Sequence, residues 1–430
     1  MESILIVSYY FPPCNGTPAP RPFSWAQKFS ERGYNVNVVS RHWTLSGNEW
    51  GDYISDTEIN QPTEDVQGSF KIWWLPYKKY KYSSFSFFNK LKTLHNLLSG
   101  ELEKEVDTMQ FYPFLKEHLS KNKYDALIVT APPWNIVKLG SILSDEYNIP
   151  LIVDFRDFEN DMVLNKNPQP TFSRQLEFWI DRYYMLKWCK KASLICSASK
   201  PLGEYVTENT GVPNIEILNG YTFGVDNINE IPPKNKVFSI SILGYLFPAQ
   251  NIDIFLDGAM SFIETFETPN VKFNFIGQKA IPKIQHKIEA KIPKQYLNIT
   301  DRVSPEAAYN IGEESTILFY AGWENWVGVY SAKIFTYLGL KKNILIAPGD
   351  NDVIDKLIQE TNSGEVLCKS SEVAEYLKLK YVEWLQTGKL KYEGNISEIE
   401  KYSRSAQANK FLSEIEKNIF VKTQEELTAI

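Results

Sequence analysis

The chain has 430 residues, a length that points to two domains of roughly 200 residues each. Its 46 basic and 52 acidic side chains leave a formal charge of −6 among 43% hydrophobic residues, the composition of a soluble globular protein with no global attraction to nucleic acid. Cys14, Cys189, Cys196 and Cys368 lack CxxC spacing and make no zinc pattern with the histidines, so buried free thiols in a reducing compartment are expected.

The N-terminus, MESILIVSYYF, has an acidic second residue and too short an apolar run for a signal peptide; it reads as a buried first strand over residues 4–9. An aromatic and proline cluster and the loop Cys14-Asn15-Gly16-Thr17 then lead to a helix from Pro22, with Phe23, Ala26 and Phe29 at helical spacing and Gly33 as its stop. A second strand follows at 36–39, and this β-loop-α-β opening predicts a parallel sheet covered by helices. The pattern resumes with a strand at 126–130, a helix from Pro132-Pro133 to about Tyr147, and strands at 151–155, 192–197 and 215–218. These make a first doubly wound domain over 1–227, and residues 229–237, with Pro232 and Pro233, read as a linker. Strands at 239–243, 272–276, 317–320 and 343–347 alternate with helical patterns and predict a second α/β domain over 238–430. Its tail, 396–419, carries Tyr402, Ala406, Phe411, Ile415 and Ile419 as a terminal amphipathic helix.

Residues 42–100 break this rhythm. They hold the run Tyr77-Lys78-Lys79-Tyr80-Lys81-Tyr82, then Phe85, Phe87, Phe88, Leu91, Leu94, Leu97 and Leu98 with Lys90 and Lys92. Aromatic and basic residues interleaved in this way suit a membrane interface or a lipid-linked acceptor; a helix packed on its own domain beside a solvated loop is the alternative. No segment offers the ~20 apolar residues of a membrane span. The expected location is therefore the cytoplasm, with peripheral contact at the inner face of the membrane.

The stretch 328–350, GVYSAKIFTYLGLKKNILIAPGD, joins a glycine turn, a short helix and a buried strand. A helix starting near Ser331 aims N–H groups and a positive dipole end at whatever lies before it, which makes an anion site. Lys333 in the first turn is unfavourable for the helix itself and is better explained by a bound negative group, against the alternative of a solvated surface lysine.

The opening SYYFPPCNGTPAPRPFSWAQKFSERGYNVNVVS, with LIVDFRDF, ICSASKPLGEYV, EILNGYTF and YSAKIFTYLGLKKNILIAPGD, resembles, block by block and in order, the family-4 retaining glycosyltransferases of GT-B fold found in bacterial surface polysaccharide biosynthesis. The likeness covers nearly the whole chain except 42–100. It implies an α/β fold of two doubly wound, Rossmann-like domains facing a cleft. The implied reaction moves a sugar, with retention, from a nucleotide-diphosphate donor to a glycan or polyprenyl-linked acceptor. The donor is a substrate and no cofactor or metal is expected: helix N-termini and cations can stabilise the departing phosphates. Asp154-Phe155-Arg156-Asp157 matches the family's DFRD block rather than a metal-binding DxD.

The resemblance places Asn15 and Gly16 against the donor phosphates, where a glycine permits close approach, and brings Arg21 to a phosphate or the acceptor. Arg156 and Asp157 follow a strand end and face the ligand crevice; Asp157 is assigned to orienting hydroxyls and Arg156 to phosphate or acceptor charge, with a structural salt bridge as the alternative. After Gly244 the family often continues with an arginine and a lysine that grip the diphosphate, whereas this chain has Tyr245-Leu246-Phe247-Pro248-Ala249-Gln250. Lys333 is then the leading phosphate ligand, and Gly277 fits the loop near the base. Family members commonly carry two glutamates at the positions of Gly328 and Thr336. A threonine hydroxyl can bond one ribose oxygen, more weakly than a carboxylate bonding two. Tyr330 and Ser331 remain for the sugar and phosphate. A catalytically silent relative that binds a nucleotide or a partner protein is the competing expectation. An epimerase is disfavoured because His42, His95, His118 and His286 fall outside the matching blocks.

Overall fold

The computed structural model describes residues 1–44, 53–79, 106–156, 165–166, 170–222 and 236–421. Asp157, most of the expected linker (229–235) and the apolar stripe at 85–98 lie outside the described residues. Contacts divide the chain into two units, Met1–Asn219 with Arg404–Ile430, and Gly220–Ser403.

In chain order the first unit contains β1 (Ser3–Ser8), α1 (Pro20–Glu31), β2 (Asn35–Arg41), β3 (Thr63–Gln67), β4 (Phe70–Leu75), α2 (Tyr112–Lys121), β5 (Ala126–Ala131), α3 (Asn135–Tyr147), β6 (Leu151–Phe155), α4 (Phe172–Cys189), β7 (Leu194–Ser197), α5 (Lys200–Thr210) and β8 (Asn214–Glu216). The strands lie in the order β3-β4-β2-β1-β5-β6-β7-β8. Every neighbouring pair is parallel except β3 with β4. Central strands of such a sheet are covered on both faces, so they read as continuous apolar runs; Ile4, Leu5, Ile6 and Val7 of β1 are fully buried.

The second unit contains β9 (Phe238–Leu243), α6 (Asp253–Thr265), β10 (Val271–Ile276), α7 (Pro282–Lys291), β11 (Leu297–Ile299), α8 (Pro305–Glu314), β12 (Ile317–Tyr320), α9 (Ala332–Leu340), β13 (Asn343–Ile346), α10 (Val353–Thr361), β14 (Gly364–Val366), α11 (Ser370–Thr387) and α12 (Ile396–Glu400). Its six strands are all parallel, in the order β11-β10-β9-β12-β13-β14. Phe255 of α6 stacks on Phe319 of β12 at 3.7 Å between ring centres and anchors the core.

Three expectations change. Part of 42–100 is an edge hairpin, β3 and β4, pairing through β4 with β2; β3 is largely exposed and polar, so no apolar run announced it. The tail is broken after α12, and a separate helix, α13 (Arg404–Ile415), follows. That helix belongs with the first unit, not with 238–430. Phe411 meets Trp25 and Phe29 of α1 at 4.8 and 5.9 Å, and Gln407 accepts a hydrogen bond from the Leu218 amide at 2.8 Å. Finally, Cys14, Cys189 and Cys196 are buried free thiols, but Cys368 is exposed.

Candidate functional site

In the first unit the sequence-assigned residues cluster near the carboxyl ends of β1 and β6, and Arg21 is the clearest correction among them. It is only 2% exposed and its guanidinium is spoken for. Nη2 pairs with Asp154 Oδ1 at 2.6 Å, Nε reaches both carboxylate oxygens at 3.2 and 3.3 Å, and Nη1 donates to the Leu218 carbonyl at 3.0 Å. Thr130 donates to the other side of the same carboxylate at 2.8 Å. Burial pulls the guanidinium pKa down, but Asp154 outweighs it and the net shift is upward. Arg21 therefore ties α1 to β6 and has no face left for a phosphate.

Arg156 is also buried. It donates through Nη2 to the Pro132 carbonyl and lies over the Tyr10 ring, 5.0 Å from its centre. Asn15 accepts a hydrogen bond from the Tyr53 hydroxyl at 2.9 Å. A side chain on Gly16 would press against Cys14, Pro18 and Tyr53 at 3.4 Å each. The loop after β1 is thus a packed aromatic shelf, with Tyr10 and Tyr53 supplying contacts that sequence reasoning missed.

In the second unit the assigned residues do come together. Gly244 and Gly277 both adopt left-handed backbone, φ +79° and +91°, at the carboxyl ends of adjacent β9 and β10. Only glycine takes that conformation readily. Tyr245 packs against Gly277. The buried Gln278 side chain clamps the loop, donating to the Gly244 carbonyl at 2.6 Å and accepting from the Leu246 amide at 3.0 Å. Gln250 does the same between the Phe247 amide (3.0 Å) and the Ala321 carbonyl (2.6 Å). A cationic pair is missing from this loop, and two neutral glutamines give it a fixed shape instead.

Lys333 sits in the first turn of α9 and donates through Nζ to the Tyr245 carbonyl at 2.5 Å. Its ammonium therefore lies at the loop that follows Gly244. Burial lowers its pKa from 10.5 to about 8, so it remains charged at neutral pH. Ser331, the residue before α9, is extended and places no side-chain cap on the helix N–H groups. Tyr337 fixes the helix to the sheet by accepting from the Leu243 amide at 2.9 Å. Upstream, Gly328 is left-handed at φ +66° and donates its amide to Asp352 at 2.7 Å. Asp352 is in turn set by Asp350, which accepts from the amides of residues 352, 354 and 355. Tyr330 packs on Phe335 at 5.7 Å.

Thr336 lies one turn into α9, half-buried, with its hydroxyl directed back to the Ala332 carbonyl at 3.4 Å. Such back-bonding is the default for a threonine inside a helix. Phe247, Trp323 and Trp326 form an aromatic ledge at the same edge of the sheet, with ring centres 5.5 and 5.6 Å apart. The ledge joins the loops after β9 and β12 and was not legible in the sequence, because those loops meet only through the strand order.

No family model and no curated protein matches the sequence. Solved structures do match along nearly the whole chain. A sucrose-phosphate synthase from Thermosynechococcus elongatus superposes with a TM-score of 0.61 at 9% identity, over 98% of this chain and all of that one. The Anabaena protein HepE, in complex with UDP and glucose, gives 0.59 at 11% identity, over 97% of this chain and all of that one. A UDP-forming α,α-trehalose-phosphate synthase from Burkholderia vietnamiensis gives 0.57 at 8% identity, over 98% of this chain and all of that one. The fold is GT-B. At these identities the likeness is one of architecture, and the chemistry rests on the residues above.

Proposed function

We propose that the chain is a glycosyltransferase whose second unit holds a nucleoside-diphosphate sugar and whose first unit receives a glycan or polyprenyl-linked acceptor. The observation that carries this reading is Lys333: a cation of lowered pKa at the start of α9, beside the left-handed glycine turn at Gly244. Transfer breaks the bond between the anomeric carbon and the phosphate oxygen, and negative charge grows on the departing diphosphate. The Lys333 ammonium and the α9 N–H groups stabilise that charge in place, without a metal. The acceptor hydroxyl forms the new bond to the anomeric carbon and passes its proton to the departing diphosphate oxygen, and the product keeps the donor's anomeric configuration. Arg156 contacts acceptor charge and Asp157 orients hydroxyls. The names of the structural relatives, with UDP in HepE and in the trehalose-phosphate synthase, favour a UDP-sugar donor. The resemblance of the sequence blocks favours a place in capsule, O-antigen or exopolysaccharide assembly, in the cytoplasm with peripheral membrane contact.

A panel of UDP-, GDP-, ADP- and CMP-sugars tests this, read first by thermal shift and then by donor turnover with lipid-linked and oligosaccharide acceptors. One nucleotide class should raise the melting temperature and be consumed. Absence of binding across the panel would refute the reading.

A catalytically silent nucleotide-binding relative is the second reading. Gly328 and the back-bonded Thr336 favour it, since neither supplies a carboxylate. Tight nucleotide binding with an intact donor, and turnover appearing only in Thr336→Glu, would establish it.

A further inference from the structure

Helix α4 carries an apolar stripe on its outside. Phe172, Leu176, Trp179 and Tyr183 are 83%, 52%, 60% and 62% exposed, and they recur at the i, i+4, i+7, i+11 spacing of one helical face. The stripe runs on into Lys187 and Lys190, both exposed. The opposite side is fixed: Met185, Trp188 and Cys189 are buried, and Arg182 donates to Asn209 of α5 at 2.9 Å. The same guanidinium lies 5.5 Å from the Trp179 ring centre, so the indole is held in place while its outer face meets solvent. Exposed apolar patches of this kind mark interaction surfaces.

We infer that this face of α4 seats the protein on an anionic lipid bilayer. Three features of the stripe select that occupant. Trp and Tyr are the residues that settle at the headgroup level, with an apolar body and a polar edge. A phenylalanine and a leucine on the same line supply insertion into the acyl boundary. The two lysines continue the line as cations complementary to acidic headgroups. Among the described residues no helix is long and apolar enough to cross a membrane, so the contact is one of lying on the surface. A second exposed apolar line, Leu379, Val382 and Leu385 on α11, has no aromatic residue and serves as the comparison.

This inference gives a location to the peripheral contact proposed above, but it is read out independently of sugar transfer. Full-length protein is sedimented with vesicles of phosphatidylcholine alone and of phosphatidylcholine with phosphatidylglycerol. Binding should favour the anionic vesicles and weaken with salt. The double variant Phe172→Glu/Trp179→Glu should lose about tenfold or more in partitioning, Lys187→Glu/Lys190→Glu should lose the preference for anionic lipid, and Leu379→Glu should bind as wild type. The glutamate variants sit at exposed positions, and an unchanged melting temperature and nucleotide affinity will verify that they fold. Undiminished binding by Phe172→Glu/Trp179→Glu, loss of binding in Leu379→Glu, or no vesicle binding by the wild type would each overturn the inference. So would a wild-type dimer in light scattering that Trp179→Glu converts to monomer, because the stripe would then be covered by a second copy. Vesicle binding without nucleotide binding would instead refute the transferase reading and leave this one standing.

Discussion

Arg21 and Lys333 occupy comparable places in the two units, each near the start of the helix that follows a strand of the central sheet, and they meet opposite fates. Arg21 is buried against Asp154, which offsets the loss of water and raises its pKa. Lys333 is held by a neutral carbonyl, and burial lowers its pKa to about 8. A cation paired inside the fold contributes to architecture, whereas one held by a neutral group is still electrostatically unsatisfied and favours an incoming anion. Sequence position alone treats the two alike; the presence of a carboxylate on β6, two strands across the sheet from β1, separates them.

The sharpest way to break this contrast is Arg21→Met. It leaves the Asp154 carboxylate buried without its partner, and stability should fall by about 3–5 kcal/mol, measured by urea unfolding. Adding Asp154→Leu should recover part of that loss, because the orphaned charge is removed with its partner. Lys333→Met should behave in the reverse sense, with little change in stability and a drop in nucleoside-diphosphate affinity of about 1.5–3 kcal/mol, the range for a hydrogen bond to a charged group, read by calorimetry.

The pH dependence sharpens the comparison further. A lysine whose folded-state pKa is about 8 rather than 10.5 binds fewer protons folded than unfolded across that window. Its contribution to stability therefore rises as pH climbs from about 8 towards 10.5, and Lys333→Met should lack that rise. Nucleotide affinity should move the other way, weakening above pH 8 as the charge is lost, with proton uptake on binding visible as a buffer-dependent enthalpy. The smallest effect is expected for Thr336→Glu, a gain in donor affinity of about 1 kcal/mol if a ribose hydroxyl comes within reach of the new carboxylate.

Much of the fold was legible because parallel strands buried on both faces are continuous apolar runs. The strands at 151–155 and 317–320 coincide with β6 and β12, and Ser331 stands at the start of α9. The glycines 244, 277 and 328 were legible for a related reason, since each marks a backbone turn that other residues resist. Arg21 was misread because its partner lies 133 residues away, and long-range pairing leaves no local pattern. The hairpin of β3 and β4 was missed because an exposed edge strand has no apolar periodicity to display. Asp352, Gln250 and Gln278 act by bonding the backbone of loops distant in sequence, which no motif records.

The placement of α13 has a consequence for how the chain is made. Helix α13 completes the packing of α1 through Phe411, so the first unit is discontinuous and the second is an insertion within it. Residues 1–219 leave the ribosome without the helix that covers Trp25 and Phe29, and must wait through the synthesis of 220–403 before their own core can close. Domains ordinarily fold in the order they are synthesised. Here the inserted unit can finish first, while the first unit closes only once α13 has been made.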